Sequence, residues 1–404
     1  MPNIFQILLF LVPSLCMPAG LVAGPLSALI FALIIFKNVS KIDFSVIQNY
    51  KAELLFLLWI LISCKWSIDQ SNILYRYLQI LLISVATIYI SNIEWLSLGD
   101  VKSNIYKPLF FGSITGVIVF LVEMRTEGTI STSFRSFFYA SNKPFALYFL
   151  DRGCAILSLI SWPILYYQLI SRKYKLAFVM AASIAYLLSI SDSFSSYIGF
   201  IFGLLALIVS YLTRAKIIYF AKYLIMPVFF ILPILAYIQS PEVICKRYPT
   251  IPDSAKHRLF IWQFTSMKIS ENPVLGYGFE SSRSFPINEE KEFIYYNQYK
   301  WSPLPLHPHN NPMQIFLELG VVGLVFFSFI LYKILAKIHN QYLMSKNLIW
   351  TCVFAGCFVN YMIISMVSFG VWQIWWVAII ALTIILAVIM QKVQLSNNTI
   401  HRRK

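Results

Sequence analysis

Residues 347–390 read NLIWTCVFAGCFVNYMIISMVSFGVWQIWWVAIIALTIILAVIM. Two apolar runs, 347–368 and 370–390, meet at a turn with no room for more than a tight hairpin. Each has the roughly 20 residues a helix needs to cross a hydrocarbon core of about 30 Å. In lipid every backbone polar group must be satisfied within the segment, so both runs read as spanning helices. Working outward, comparable stretches lie near 3–18, 20–36, 52–64, 72–90, 108–122, 153–170, 176–190, 195–212, 217–238 and 312–332. The first pair is also a tight hairpin, and the third span is short. The stretch Met1 to Gln6 lacks a basic n-region, so no cleaved signal peptide is expected there.

Composition agrees. Of 404 residues, 59% are hydrophobic and 12% charged, and mean hydropathy is +0.71. That charged share is about half the ordinary one, too little to cover a water-facing surface. The expected fold is an all-α polytopic membrane protein of about 12 transmembrane helices. Its divisions are 1–238 with spans 1–9 and an outer loop at 123–152, a cap at 239–311, spans 10–12 over 312–390, and a basic tail at 391–404. The six cysteines show no CxxC and read as small residues within helices rather than a disulfide or metal framework.

A net charge of +15 would suit nucleic acid, but the positions of the basic residues give it another meaning. Segments 37–51, 91–107, 171–175, 213–216, 333–346 and 391–404 hold 17 of the 32, while the short turns on the other side hold only Lys65. This is the positive-inside asymmetry, and it places both termini in the cytoplasm. Arg76 and Lys222 lie within spans. The other 12 fall in the outer segments 123–152, with Arg125, Arg135, Lys143 and Arg152, and 239–311. An exterior pocket for an anionic ligand accounts for them, as does a neutral solvated surface. No nucleic acid partner is expected; the partner common to all readings is the lipid bilayer.

Segment 239–311 is long for a connection and rich in Tyr, Trp, Phe and Pro, so a folded cap with short helices is expected between spans 9 and 10. Within it, 253–271 starts after Pro252 and stops at Asn272-Pro273, the marks of one helix, and its apolar content suits the membrane interface. Arg258 and Trp262, four apart, share a face of that helix. The arginine either snorkels or aims its fork of donors at a phosphate. Gly276 and Gly278 follow no strand, so a turn is expected rather than a dinucleotide site.

Leu304 to Met313 reads LPLHPHNNPM. Pro312 suits the first turn of a helix, and Asn310 or Asn311 its cap. His309 then stands at a helix N-terminus, which favours an anion and a neutral imidazole able to serve as general base; a purely structural histidine is the other reading. A metal site at His307-x-His309 would need a third ligand, and no partner motif is present. Across the proline, His307 is expected to point elsewhere. Glu318 lies about two turns into span 10; as an intramembrane carboxylate it needs a partner, in either a proton-coupled transporter or a hydrogen-bonded floor below the pocket.

Arg258 to Trp262, then NPVLGYGF at 272–279, then HPHN with QIFLELGVVG within 307–323, together resemble the O-antigen ligase and polymerase superfamily. The resemblance implies a metal-independent inner-membrane glycosyltransferase that requires no cofactor. In the ligases, a glycan on undecaprenyl diphosphate is moved to a sugar hydroxyl of lipid A–core on the periplasmic face, a step of lipopolysaccharide biosynthesis. The family's loop arginine falls on Arg258, its essential histidine on His309 and the following asparagine on Asn310. Arg283 and an Arg-Gly at the start of the sixth span, Arg152-Gly153, also recur. With Trp262 and Arg135 these are the expected catalytic and substrate-binding residues, His309 and Arg258 being the catalytic pair.

One departure stands out. Many members carry an arginine at the outer start of the eighth span, where this chain reads SDSFSSY over 191–197. Arg214, at the other end of that helix, is about 25 Å away and cannot substitute. Arg152 or Arg135 is then expected to make the second phosphate contact. Polymerase and protein O-oligosaccharyltransferase remain as alternatives within the superfamily. A transporter or flippase for a lipid-linked anion is the alternative of another class, with Glu318 and Arg76 as its pair.

Overall fold

In a computed structural model, which describes residues 3–39, 44–93, 101–139 and 143–402, each expected span coincides with a helix. These are α1 (Ile4–Leu15), α2 (Ala23–Lys37), α3 (Lys51–Ser63), α4 (Ile73–Asn92) and α5 (Lys107–Arg125). After α6 (Thr129–Tyr139) come α7 (Asp151–Ile170), α8 (Tyr174–Ser189), α9 (Phe194–Leu212) and α10 (Lys216–Ile238). The cap holds α11 (Pro241–Arg247), α12 (Asp253–Glu271) and α13 (Glu289–Glu292), and the last spans are α14 (Asn311–Ser345), α15 (Leu348–Val367) and α16 (Ile374–Arg402). Ten helices among the described residues are long and apolar enough to cross a membrane; α1 and α8 are shorter apolar helices. The chain is an all-α multi-pass membrane protein. Parts of the expected inner segments (40–43, 94–100, 403–404) and of loop 123–152 (140–142) lie outside the described residues.

Helix α7 is the inner post, with Trp162 fully buried at its middle. Beside it α9 and α15 touch backbone to backbone. A Cβ on Gly203 would meet the Gly356 carbonyl at 2.8 Å, and one on Gly356 the Gly203 carbonyl at 2.6 Å. Small residues permit this approach, which apolar packing between helices in lipid requires. Two segments expected on the outer side are more structured than their sequence indicated. Loop 123–152 contains α6, whose free N–H groups at Ile130 and Ser131 donate to the buried Glu123 carboxylate at 2.7 and 2.9 Å. The cap contains an antiparallel hairpin, β1 (Ile294–Tyr296) with β2 (Tyr299–Trp301), in which Tyr295 stands opposite Lys300.

Helix α14 is broken at Gly320, whose φ of 65° and ψ of −168° are open only to glycine. The break strands the carbonyls of Leu317, Glu318 and Leu319. Each finds a donor from another element: Tyr277 N at 3.0 Å, Gly278 N at 2.7 Å and Trp59 Nε1 at 2.9 Å. Val321 N in turn donates to the Pro273 carbonyl at 2.9 Å. The turn that follows α12 is therefore built into the break, which meets the demand that no backbone group stay unpaired at this depth. The 25 residues after Gly320 span about 37 Å, enough for the membrane by themselves. The half-helix 311–319 is left to position the segment before it.

Candidate active site

Asn310 caps that half-helix, its side chain accepting from Met313 N at 3.1 Å, with Pro312 in the first turn. His309, immediately before the cap, has a φ of 54°, a left-handed conformation that costs a non-glycine residue about 1–2 kcal/mol. Two hydrogen bonds hold it there. Its N–H donates to His307 Nδ1 at 3.1 Å, and its Nδ1 lies 2.7 Å from the Ser368 carbonyl oxygen. A carbonyl only accepts, so Nδ1 carries the proton of the neutral ring and Nε2 keeps its lone pair. Burial, reinforced by the Arg258 charge, pushes the His309 imidazole down to about 4. Near pH 7 it is neutral.

His307 does not point elsewhere. Its ring centroid is 4.3 Å from that of His309, and Gly370 and the Gln373 amide, 3.3 Å from Nε2, close around it. Burial, then competition with the neighbouring His309 ring and the charges of Arg283 and Arg258, hold its imidazole well below the usual range. The proline that was expected to separate the two rings instead anchors them, since the Pro308 carbonyl accepts from Trp262 Nε1 at 2.9 Å.

Helix α12 thus carries Trp262 against the histidine segment and, one turn earlier, Arg258. Arg258 donates from Nη1 to the Ser254 carbonyl at 3.3 Å; its Nε is buried without a hydrogen-bond partner. Burial lowers its pKa against the opposing pull of the Asp151 carboxylate, yet it makes no ion pair among the described residues. A buried donor without a partner is uncommon and is available to a ligand; Arg135 Nε is buried in the same way.

Asp151 and Arg152 open α7, and Ser193 Oγ lies 3.5 Å from the Asp151 carbonyl. The start of α9, where the family arginine is missing, is therefore next to Arg152, whose aliphatic stem packs on Gly20. Arg135 stands beside the same helix start: its guanidinium carbon is 3.8 Å from the centroid of the Phe149 ring, in the turn that leads into Asp151 and Arg152. Arg283 is paired with Glu280, which also holds Arg76 at 2.7 Å. The structure thus brings His309, Asn310, Trp262 and Arg258 together, sets Arg283 on the His307 side, and leaves Arg135 packed on Phe149.

Below the histidines, the fully buried Glu318 accepts from Glu280 N at 2.8 Å, Gln314 Nε2 at 3.0 Å, Trp372 Nε1 at 2.6 Å and the Ser282 hydroxyl. It is a structural floor. Arg76 bonds to Glu280 rather than to Glu318, so the pair expected of a transporter is not formed. Sequence reading missed the strap 368–373 between α15 and α16, which bonds His309 through Ser368 and Gln314 Oε1 through Val371 N at 3.0 Å. Its one signal is the dense run of tryptophans at 372, 375 and 376 on the histidine side. Among the described residues, no group of three or more His, Cys, Asp or Glu is placed to hold a metal ion.

The family model described as O-Antigen ligase matches residues 176–328, which include α12, Arg258, Arg283 and both histidines. A Rickettsia felis protein named "Putative polysaccharide ligase" is 33% identical over 413 residues, 94% of this chain and 95% of its own. A Rickettsia bellii protein of the same name is 35% identical over 399 residues, covering 92% of this chain and 93% of its own. With similarity at this level running over nearly the whole of both chains, and the motifs gathered at one point of the fold, the chain belongs to the O-antigen ligase family.

Proposed function

We propose that the chain is a glycosyltransferase that moves a glycan from undecaprenyl diphosphate to a sugar hydroxyl of lipid A–core, at the periplasmic face of the inner membrane. The observation that carries this reading is one pairing: a neutral His309 with its lone pair on Nε2, within electrostatic reach of Arg258, whose Nε is buried and unpartnered. Nε2 takes the proton of the acceptor hydroxyl as its oxygen attacks the anomeric carbon. The bond from that carbon to the diphosphate breaks, and the leaving oxygen keeps the electron pair, stabilised by Arg258 with Arg152. Direct displacement inverts the anomeric centre.

Burial, and after it the Arg258 charge, depresses the imidazole, and this gives the bound donor a part in activating the base. A bound diphosphate offsets this charge, so His309 becomes a stronger base only once the donor is in place. The test is the glycolipid profile of a deletion strain. Lipid A–core without glycan, with intact polymer on the carrier lipid, supports the ligase. Glycans of one repeat point to a polymerase, and cytoplasmic trapping of the carrier to a flippase; either result overturns the reading.

A further inference from the structure

A cavity of about 410 Å³ lies beside His307, between the first turn of α4 and the start of α16. Its volume is in the range of small-molecule sites, and it is an open cleft rather than an enclosed chamber. Its walls differ from the surroundings of Arg258. Arg76 is 2.7 Å from Glu280 and 3.7 Å from Asp69, and Arg283 pairs with the same Glu280. Two guanidinium groups are matched by two carboxylates, so the cluster has no net charge to offer an anion. A phosphate here would also meet Glu280, a carboxylate only 3% exposed.

The rest of the lining is mostly amide and ring, Asn72, Gln79 and Gln373 with Tyr75 and Trp372, beside one aliphatic residue, Ile374. Forked donors, carboxylate acceptors, amides that do both and an aromatic face suit a ligand with many hydroxyls and no charge. Two observations orient the cavity. Gln373 joins it to His307, 3.3 Å from Nε2. Tyr75 is 63% exposed on the apolar helix α4, beside exposed Leu74 and Leu78, so the cavity opens toward the lipid-facing side.

We propose that this cavity is the subsite for an uncharged sugar unit of the acceptor glycolipid, the unit adjoining the one whose hydroxyl attacks. The proposal rests on the glycosyl-transfer reading above. The division of charge assigns it to acceptor rather than donor. Arg258, without an ion pair, bears on both histidines, whereas Arg283, paired with Glu280, bears on His307 alone and lines the cavity. The diphosphate belongs where positive charge is uncompensated, and the neutral sugar on the opposite side of the histidine pair.

The test uses purified full-length enzyme with lipid-linked glycan and lipid A–core, each varied in turn. Tyr75→Ala removes an exposed ring and unpairs no charge; Arg76→Gln removes one fork of donors. Each should raise KM for the acceptor about fivefold or more and move KM for the donor less than about twofold. A rise confined to the donor, or no rise in either variant, overturns the subsite and leaves the transfer reading standing. In a second measurement, tryptophan fluorescence is titrated with core oligosaccharide stripped of lipid and phosphate. Saturable binding weakened by Tyr75→Ala is expected; binding that requires the phosphates, or that Tyr75→Ala leaves unchanged, overturns the proposal. Saccharide binding without any transfer to lipid A–core would sink the transfer reading alone.

Discussion

His309 Nδ1 lies 2.7 Å from the carbonyl oxygen of Ser368. That single contact assigns the tautomer of a neutral imidazole, orients the ring and leaves Nε2 free to accept a proton. The backbone of the strap between α15 and α16 thereby sets the protonation chemistry at the N-terminus of α14.

The pH dependence follows from this. Protonation removes the lone pair, and burial has lowered the His309 pKa to about 4, so the base form persists down to about that pH in the free enzyme. In kcat/KM, which reports the free enzyme, the acid limb should therefore lie near 4, well under the ordinary value for histidine. In kcat the limb should lie higher, because the bound diphosphate favours imidazolium. An acid limb of kcat/KM near 6.5 would show that burial does not lower the His309 pKa from its ordinary value.

His309→Ala should lower kcat by about 10²–10⁴ in a protein that is still folded and membrane-inserted. His307→Ala should cost less, up to about 10², through misplacement of the neighbouring ring 4.3 Å away. A chelator should leave wild-type turnover unchanged. Equal losses in the two variants, or activity abolished by chelator and restored by one divalent ion, would favour a metal held by both histidines.

Arg258→Lys keeps the charge but loses the planar fork. With the guanidinium Nε buried and unpartnered, the lysine variant should lose activity about as severely as Arg258→Ala, by about 10²–10³ in kcat. Near-normal transfer by the lysine variant would reduce Arg258 to a point charge.

Gly320→Ala should destabilise the fold. The backbone conformation alone costs about 1–3 kcal/mol, and an added Cβ would sit 2.0 Å from the Val274 carbonyl oxygen. Glu318→Ala should act at the same place, by leaving the Trp372, Gln314 and Glu280 donors unpaired. Both variants should melt at lower temperature in detergent and be cleaved more readily by protease near 278–285. An unchanged melting curve for either would mean that the break in α14 does not depend on that residue.

Topology can be checked by fusion. A phosphatase placed within 239–310 should be active and one at the C-terminus inactive, as the distribution of 17 of 32 basic residues requires. The reverse pattern would invert the molecule and put the histidines on the cytoplasmic side.

The features legible in the sequence are those that a segment must satisfy on its own. Lipid demands a long apolar run for each span, and orientation demands basic residues on one side, so spans and their order are written locally. The same holds for the start of α12 after Pro252, its end before Asn272-Pro273, and the Asn310 cap, which depends on residues within one turn. Only the tertiary structure decided the partners. Ser368 is 59 positions from His309, and Trp372 is 54 from Glu318. No periodicity links positions so far apart. Arg152 comes to lie beside the start of α9 because α7 is packed there, and His307 turns toward His309 because Pro308 is tied to Trp262. A hydrogen bond between distant segments depends on how their helices pack, and that packing is a property of the whole chain rather than of any stretch within it.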